Sequence, residues 1–489
     1  MKKYLARIIF EAETPLHVGS GSSDLTLDAP INCDANGLPQ INGSSLAGIL
    51  RSSFSDDEKI REKIFGFQKK AAEEEGKGEG SRLVVSNAHL IYEGGRVVEG
   101  LITNDEITKS KYLKAMQAYA LPLRDHCRIN EKGAAKDQGK FDNCVLPKGV
   151  RFVCELELTE NDKDLSADWE NLLQVVSSDT FRVGGKVRSG LGRLKVHECF
   201  EKPFDFQNPD AVKEYLEHSS SFNKKTAWKT ELKSGGKSDK YLCYTLEIQP
   251  EDFFTFGSGY GDEEVDMTPK KEIVVKWDGD TPDISEAKIL IPASSIKGAI
   301  SHRTAFYYNK LTENYAEKFK GVKEEDKPVG PKNEAVRALF GYDKQKEAEF
   351  KKPEVPADKQ EKAESEKQET PAGKVFFDDM IIEENADEKV FNHVSIDRFT
   401  GGAMSGALFD EKVCGTSVEV EPDKFKPLEI EPLKIYVKKS AFEGNVNVRE
   451  AFENALDDIC TGMLPLGGST MRGHGCFTGT LKKPEDNNE

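Results

Sequence analysis

One order of parts occurs twice in this chain, and that repetition limits what it can fold into more than any single residue does. The run LDAPINCDANGLPQINGSSLAGILRSSF, Leu27–Phe54, holds an acidic residue beside a proline (Asp28, Pro30), a turn at Ala35-Asn36-Gly37, a short strand, and a Ser-Ser pair opening a helix. The same order returns at Val265–Phe306, with Asp266 in VDMTP and Ser294-Ser295 in ILIPASSIKGAI. The flanks repeat with it. VGSGSSD pairs with FGSGYGD, EKIREKIFGF with NEAVRALFGY, RLVVSNAHLI with KVFFDDMII, and FRVGGKVRSGLGRLKV with LPLGGSTMRGHGCFTGTL. At 489 residues the chain is too long for one ordinary core, so a tandem duplication with one core per copy is expected.

The pattern inside each copy sets the fold class. Residues 4–13 (YLARIIFEAE) alternate as a strand, and Leu46, Ile49 and Leu50 share one helix face behind Ser44, a good helix cap. Ser55 to Glu58 reads as a capping box for REKIF, which Gly66 stops. Residues 150–158 alternate Val-Phe-Cys-Leu-Leu against Arg-Val-Glu-Glu, and a helix is expected near Asp168–Ser178. Polar residues and glycines between strand-like arms, in Arg124–Leu158 and again around HVSIDRFTGGAMSGALFDEKVC, predict a long protruding hairpin in each copy. The expectation is α+β: two tandem ferredoxin-like (RRM-like) domains, helices on one face, each with a hairpin. Their bounds are 1–200 and 241–489, with 201–240 as a polar linker and a charged, disordered insertion at 343–373.

Bulk properties exclude several classes. No apolar run approaches the roughly 18 residues a membrane span needs. The start, MKKYLARIIFEAETPLHV, alternates like a strand and lacks the apolar block and cleavage site of a signal peptide, so a cytoplasmic location is expected and no membrane partner. Nine cysteines show no CxxC pair and no zinc spacing, and read as reduced thiols. A net charge of −17 argues against a broad nonspecific nucleic-acid coat, yet leaves room for a narrow groove where particular cations and amides meet phosphate.

Several residues carry candidate chemistry, each with a bland alternative. Asp28 before a proline serves equally to open a turn. As a hard oxygen ligand it also suits Mg²⁺ shared with substrate phosphate and water. Asp266 is its counterpart, although Asp262, Asp278 and Asp280 compete because the path to Ser294 is longer. Ser44, Ser45, Ser294 and Ser295 offer hydroxyls and helix-start amides to a phosphate, with Arg51 and Lys297 alongside. The glycine loops Gly184–Gly192 and Gly467–Gly475 lack the GK[ST] ending of a P-loop. Flanked by Lys186, Arg188 and Arg193, or by Arg472 and His474, their amides suit an RNA backbone, and a tight turn explains the glycines as well. His17, His126, His393 and His474 fit either acid–base or structural roles. Arg128 and Arg398 lie on the hairpins.

The motifs H-V-G-S-G (His17–Gly21), D-x-P, G-S-S-L-x-G-x-L-R (Gly43–Arg51), H-x-R-I (His126–Ile129) and the late G-G-x-x-x-S-G-x-G together resemble the RAMP superfamily, the ferredoxin-like proteins of CRISPR effector complexes. The resemblance covers roughly residues 3–198 and 241–482 and is nearest to the backbone subunits of type III complexes. The doubling is similar to the two-unit fusions of type III-D-like systems. It implies an antiviral-defence endoribonuclease that binds guide (CRISPR) RNA and cuts complementary target RNA at two sites, through Asp28 and Asp266. It also implies a divalent metal, Mg²⁺, held transiently by those carboxylates, and further effector subunits on either side. By the same resemblance the hairpins are thumbs that displace a nucleotide of the duplex. RNA contacts would come from Ser44, Ser45, Arg51, His126, Arg128, Lys186, Arg188, Arg193, Ser294, Ser295, Lys297, His393, Arg398 and Arg472. Ala47 stands where the family often has Lys. Two other functions fit: a non-catalytic guide-RNA scaffold, and a guide-precursor processing nuclease centred on His17.

Overall fold

The computed structural model describes the chain except residues 23–26, 55–56, 69–77, 131–132, 162, 225, 233–238, 324–326, 343–371, 383, 385, 422–423 and 485–489, with side chains at 419–421 and 425 also outside it. The described residues form two compact units. Unit 1 holds Met1–His126, Lys140–Ser238 and Lys271–Lys288; unit 2 holds Cys127–Gly139, Asp239–Lys270 and Ile289–Glu489.

In unit 1, strand β1 (Lys2–Ala12) is followed by β2 (Gln40–Ile41) and helices α1 (Gly43–Ser53) and α2 (Glu58–Phe65). Then come β3 (Leu83–Val85), β4 (Ala88–Tyr92), α3 (Asn104–Lys109), α4 (Lys111–Met116) and the base of a two-stranded ribbon, β5 (Leu123–Ile129) with β6 (Ala135–Cys144), whose Cys127–Gly139 part is counted in unit 2. Strand β7 (Arg151–Glu160), helix α5 (Ser166–Val176), β8 (Leu194–Asp205) and α6 (Pro209–Glu217) complete the order. Strand β1 sits between antiparallel β8 and β7, and β7 pairs onward with β3 and β4. That is the ferredoxin-like sheet. Alternation explains its core: Ala6, Ile8, Phe10 and Ala12 of β1 and Phe152, Cys154, Leu156 and Leu158 of β7 are buried with Leu46 and Leu50 of α1 and Trp169, Leu172 and Val176 of α5.

The second half supplies β9 (Tyr241–Pro250), a hairpin of β10 (Val275–Asp278) and β11 (Thr281–Ile284), β12 (Lys288–Ile291), α7 (Ala293–Leu311) and α8 (Glu334–Phe340). Next are β13 (Val375–Phe377), β14 (Met380–Ile382), a second ribbon of β15 (Glu388–Ile396) and β16 (Ala403–Cys414), β17 (Leu433–Lys438), α9 (Val446–Cys460) and β18 (Phe477–Lys482). The sheet runs β13-β17-β9-β18, the same order as unit 1, over a core that includes Ile296 and Ile300 of α7 and Phe452, Leu456 and Ile459 of α9.

Several local expectations change. The expected linker at 201–240 is mostly ordered into unit 1: β8 runs to Asp205, α6 follows, and the buried Arg7 guanidinium donates to the carbonyls of Ser219, Ser221 and Lys224 at 2.9–3.2 Å. Rings anchor it too, Tyr215 and Trp228 lying edge-on to Phe204 at 5.4 and 5.1 Å. Helix α1 begins at Gly43, so Ser44 is not its cap; the Gly43 N–H donates to Asn87 Oδ1 across the chain at 2.9 Å. Helix α2 is capped by Asp57, whose Oδ1 accepts from Ile60 N at 3.0 Å, while Ser55 lies outside the described residues, as does nearly all of the 343–373 insertion.

The hairpin β10–β11, which in the sequence stands as a lengthened loop of the second copy, belongs to unit 1. Val275 is 3% exposed in the unit 1 core, Trp277 Nε1–H donates to the Gly149 carbonyl at 2.7 Å, and the Arg151 guanidinium stacks over Trp277 at 4.4 Å. Just before it, Glu272 takes a bidentate pair from Arg124, at 2.6 and 2.7 Å, with both residues buried.

Candidate functional site

In each copy one loop, one ribbon and one glycine loop converge. In unit 1 a bridge between Gly19 and Ile31 folds the glycine-rich loop against the Asp28 loop, and the Ser20 N–H donates to the Pro30 carbonyl at 3.1 Å. In unit 2 the matching bridge joins Gly257 and Pro269, and the Ser258 N–H donates to the Thr268 carbonyl at 2.9 Å. Counting back three residues from Ile31 and from Pro269 reaches Asp28 and Asp266. The register therefore makes Asp266 the structural counterpart of Asp28. Asp262 instead accepts from the Glu264 and Val265 amides and pairs with Lys412 at 3.1 Å, and Asp278 and Asp280 lie at the turn of the β10–β11 hairpin.

Both carboxylates are exposed and strapped to the returning ribbon strand. Asp28 Oδ2 accepts from the Asp142 N–H at 3.1 Å, and Asp266 Oδ2 accepts from the Asp410 N–H at 3.1 Å. One residue before each of these lies an aromatic ring that stacks on a histidine of the outgoing strand: Phe141 on His126 at 4.9 Å, and Phe409 on His393 at 4.8 Å. A cation from the glycine loop covers the same ring, Lys186 at 3.8 Å and Arg472 at 4.9 Å. In the sequence these cations and histidines stand as separate RNA contacts; the structure gathers each set around one ribbon base.

The glycines of the two late loops have a steric cause. Gly184 has φ 90°, and a Cβ there would sit 2.2 Å from the His17 carbonyl oxygen; Gly467, at φ 95°, would meet the Thr255 oxygen at 2.3 Å. The following amides, Gly185 and Gly468, donate to those same carbonyls at 2.7 and 2.8 Å, and those of Gly192 and Gly475 donate to the Pro15 and Phe253 carbonyls. These amides are spent inside the protein and are not open to an RNA backbone.

Other expected contacts also serve the fold. Arg51 donates to the carbonyls of Phe65 and Gly66 at 3.2 Å, satisfying the end of α2. Arg193 pairs with Glu13 at 2.9 Å and Asp179 at 3.7 Å. At the start of α7 the Ala293 N–H is taken by the carboxylate of Asp379, which opposes a phosphate there; in α1 the equivalent acceptor is the neutral Asn87. Ser44 and Ser295 remain exposed, Ser45, Ser294 and Lys297 are half-buried, and the Ser45 and Ser295 amides bond within their own first turns. Arg128 and Arg398 are exposed on the two ribbons, and Arg188 is half-buried in the glycine loop.

The histidines are packed groups. His17 is 6% exposed, with Nδ1 2.8 Å from the Cys144 carbonyl, and burial holds its pKa down, assisted by Lys186. Burial, with Lys186 nearby, pushes His126 down to about 4, so its ring is neutral at pH 7 and gives RNA no charge. His393 Nε2 lies 2.7 Å from Glu411, a buried carboxylate that also accepts from Ser469 and lies 3.6 Å from Arg472. Nothing in the sequence signals this buried acid, because its counterpart in unit 1 is Asn143. His474 lies tilted against Phe391, ring centres 5.5 Å apart.

His126 makes stability depend on pH. Its folded-state pKa lies below the ordinary 6.5, so the unfolded chain takes up the proton first. Its contribution is therefore full above about pH 6.5 and disappears as pH falls toward 4, a window that His17 shares in direction. Urea midpoints measured at about pH 5 and pH 7 should differ less in His126→Asn than in the unaltered protein.

The chain matches the RAMP superfamily model over residues 9–195 and 257–478, which spans both units. No curated protein matches it. Among solved structures, a chain of the type III-B Cmr-beta complex, seen by cryo-EM in its apo state, aligns at 17% identity and a TM-score of 0.27, covering 40% of this chain and 96% of that one. Among the described residues no helix is long and apolar enough to cross a membrane. With both repeats inside the matched regions and both folded as ferredoxin-like sheets carrying a ribbon, the chain belongs to the RAMP superfamily.

Proposed function

We propose that this protein is a two-unit backbone subunit of a type III CRISPR effector that lies along guide RNA and cuts the complementary target at two places. The observation that carries the reading is the shared register: Asp28 and Asp266 occupy equivalent loop positions, exposed and bonded to the amide after the stacked ring of their ribbon. An exposed carboxylate at the base of a protruding ribbon can reach the phosphate of a nucleotide displaced from a duplex. Splaying also brings that nucleotide's 2′-OH toward line with its own phosphate, so that positioning supplies much of the rate.

The donor chemistry fits Mg²⁺, in that each site offers one hard carboxylate with an oxygen beyond the one bonded to the ribbon. Among the described residues no group of three or more His, Cys, Asp or Glu could hold an ion, so the remaining ligands would be substrate phosphate and water. Bound there, the ion would neutralise charge developing on the phosphate. The chain's own contribution is to aim the carboxylates and hold the RNA strand.

The test is binding followed by cutting in the assembled complex. Lys186→Glu with Arg188→Glu should weaken RNA binding and flatten its salt dependence, with the slope falling by roughly one for each phosphate no longer neutralised. Unchanged affinity and slope would remove the glycine loop from the RNA path. A scaffold without catalysis is the second reading, favoured by the fact that both carboxylates already do a loop-holding job. It predicts the same weakening of binding and no change in cutting for either Asp. The precursor-processing reading has less support, because His17 is buried and hydrogen-bonded to the main chain.

A further inference from the structure

We infer that the Asp142 side chain is a positioning residue for Asp28, and that the second copy holds Asp266 without an equivalent side chain. In unit 1 the two aspartates exchange main-chain donors. The Asp142 N–H donates to Asp28 Oδ2 at 3.1 Å, and the Asp28 N–H donates to Asp142 Oδ1 at 3.0 Å. The Cys144 N–H adds a bond to the Ala29 carbonyl at 3.2 Å. Residue 142 thus grips both the carboxylate and the backbone of Asp28.

Unit 2 keeps the first bond and replaces the second. The Asp410 N–H donates to Asp266 Oδ2, but the loop is held by main chain alone: the Met267 N–H donates to the Asp410 carbonyl at 3.1 Å, and the Lys412 N–H to the Met267 carbonyl at 2.9 Å. These bonds form a parallel bridge between Met267 and Glu411. The Asp410 side chain takes no part in it, and its Oδ1 is buried without a partner among the described residues. Both carboxylates thus take a ribbon amide, and Lys412–Met267 matches Cys144–Ala29; the copies differ in what else holds the loop, the Asp142 side chain on the Asp28 amide in one and the Asp410 carbonyl on the Met267 amide in the other.

The role rests on the nuclease reading above, and the experiment separates the two. Amide exchange is measured on the full-length protein. Asp142→Ala should expose the Asp28 amide, with exchange faster by roughly tenfold, the low end for a bond to a charged acceptor. Asp142→Ser, too short to reach, should do the same, and Asp142→Asn should keep protection because its amide oxygen still accepts. Asp410→Ala should leave the Met267 amide protected. In the assembled complex the cut assigned to Asp28 should slow by a similar factor in Asp142→Ala, with RNA affinity unchanged, and recover in Asp142→Asn. Unchanged exchange at Asp28 in both the Ala and Ser variants overturns the clamp. Faster exchange with undiminished cutting overturns its positioning role. A wild-type complex that binds target and leaves it whole sinks the nuclease reading and this role with it, while the exchange result still decides whether the clamp exists.

Discussion

Glu272→Ala is expected to destabilise unit 1 by about 3–5 kcal/mol, because it breaks a buried bidentate ion pair by removing one partner. The pair is bidentate, with Arg124 4% and Glu272 3% exposed, so water has little access to replace the missing carboxylate. Much of the effect is the cost of removing a carboxylate from a buried cation rather than the net worth of the pair. Replacing both residues by apolar ones of similar size, Arg124→Met with Glu272→Leu, should accordingly cost far less. A convenient readout exists. The chain has three tryptophans, Trp169, Trp228 and Trp277, and all three belong to unit 1, so selectively excited tryptophan fluorescence in urea follows that unit. A Glu272→Ala transition at the wild-type urea midpoint would show that the pair is not buried as described.

The second large effect concerns the carboxylates. Asp28→Asn and Asp266→Asn should each slow one cut on the order of a hundredfold or more, the scale of removing a positioned catalytic group. Asn keeps an acceptor oxygen for the Asp142 or Asp410 amide, so the loop stays in place and the slowing reports the missing negative charge. RNA affinity should hardly change. The two effects should also be independent, because each carboxylate is bonded to its own ribbon.

The sequence carried the fold well where apolar periodicity was strong. Both sheets, the paired helices and both ribbons follow from alternation and from the repeat, as β1 and β7 illustrate. It failed where contacts distant in sequence do the holding. The stretch after Asp205 reads as a linker because its anchors lie far along the chain, Arg7 bonding to its carbonyls and Phe204 packed by Tyr215 and Trp228. The hairpin at Val275–Ile284 reads as an insertion of the second copy, since nothing local says that Trp277 fills a slot beside Gly149 and Arg151.

The site was legible as a set of residues and not as an arrangement. Asp28 and Asp266 emerged from the repeat, but only the Gly19–Ile31 and Gly257–Pro269 bridges make Asp266, rather than Asp262, Asp278 or Asp280, the structural counterpart of Asp28. Arg51 and Arg193 look like phosphate ligands in the sequence because a cation's structural partners, here carbonyls and distant carboxylates, leave no local mark. The buried Glu411 had no signal at all, since the matching residue of the first copy, Asn143, is uncharged.

The most direct test of two-site cutting is a cleavage ladder of end-labelled complementary RNA, run with the assembled complex carrying Asp28→Asn, Asp266→Asn, or both. Two cuts are expected in the unaltered complex, a different one missing with each single substitution, and intact but bound RNA with the double. Both cuts persisting in the double variant while RNA stays bound would contradict the assignment of Asp28 and Asp266 as the cutting residues.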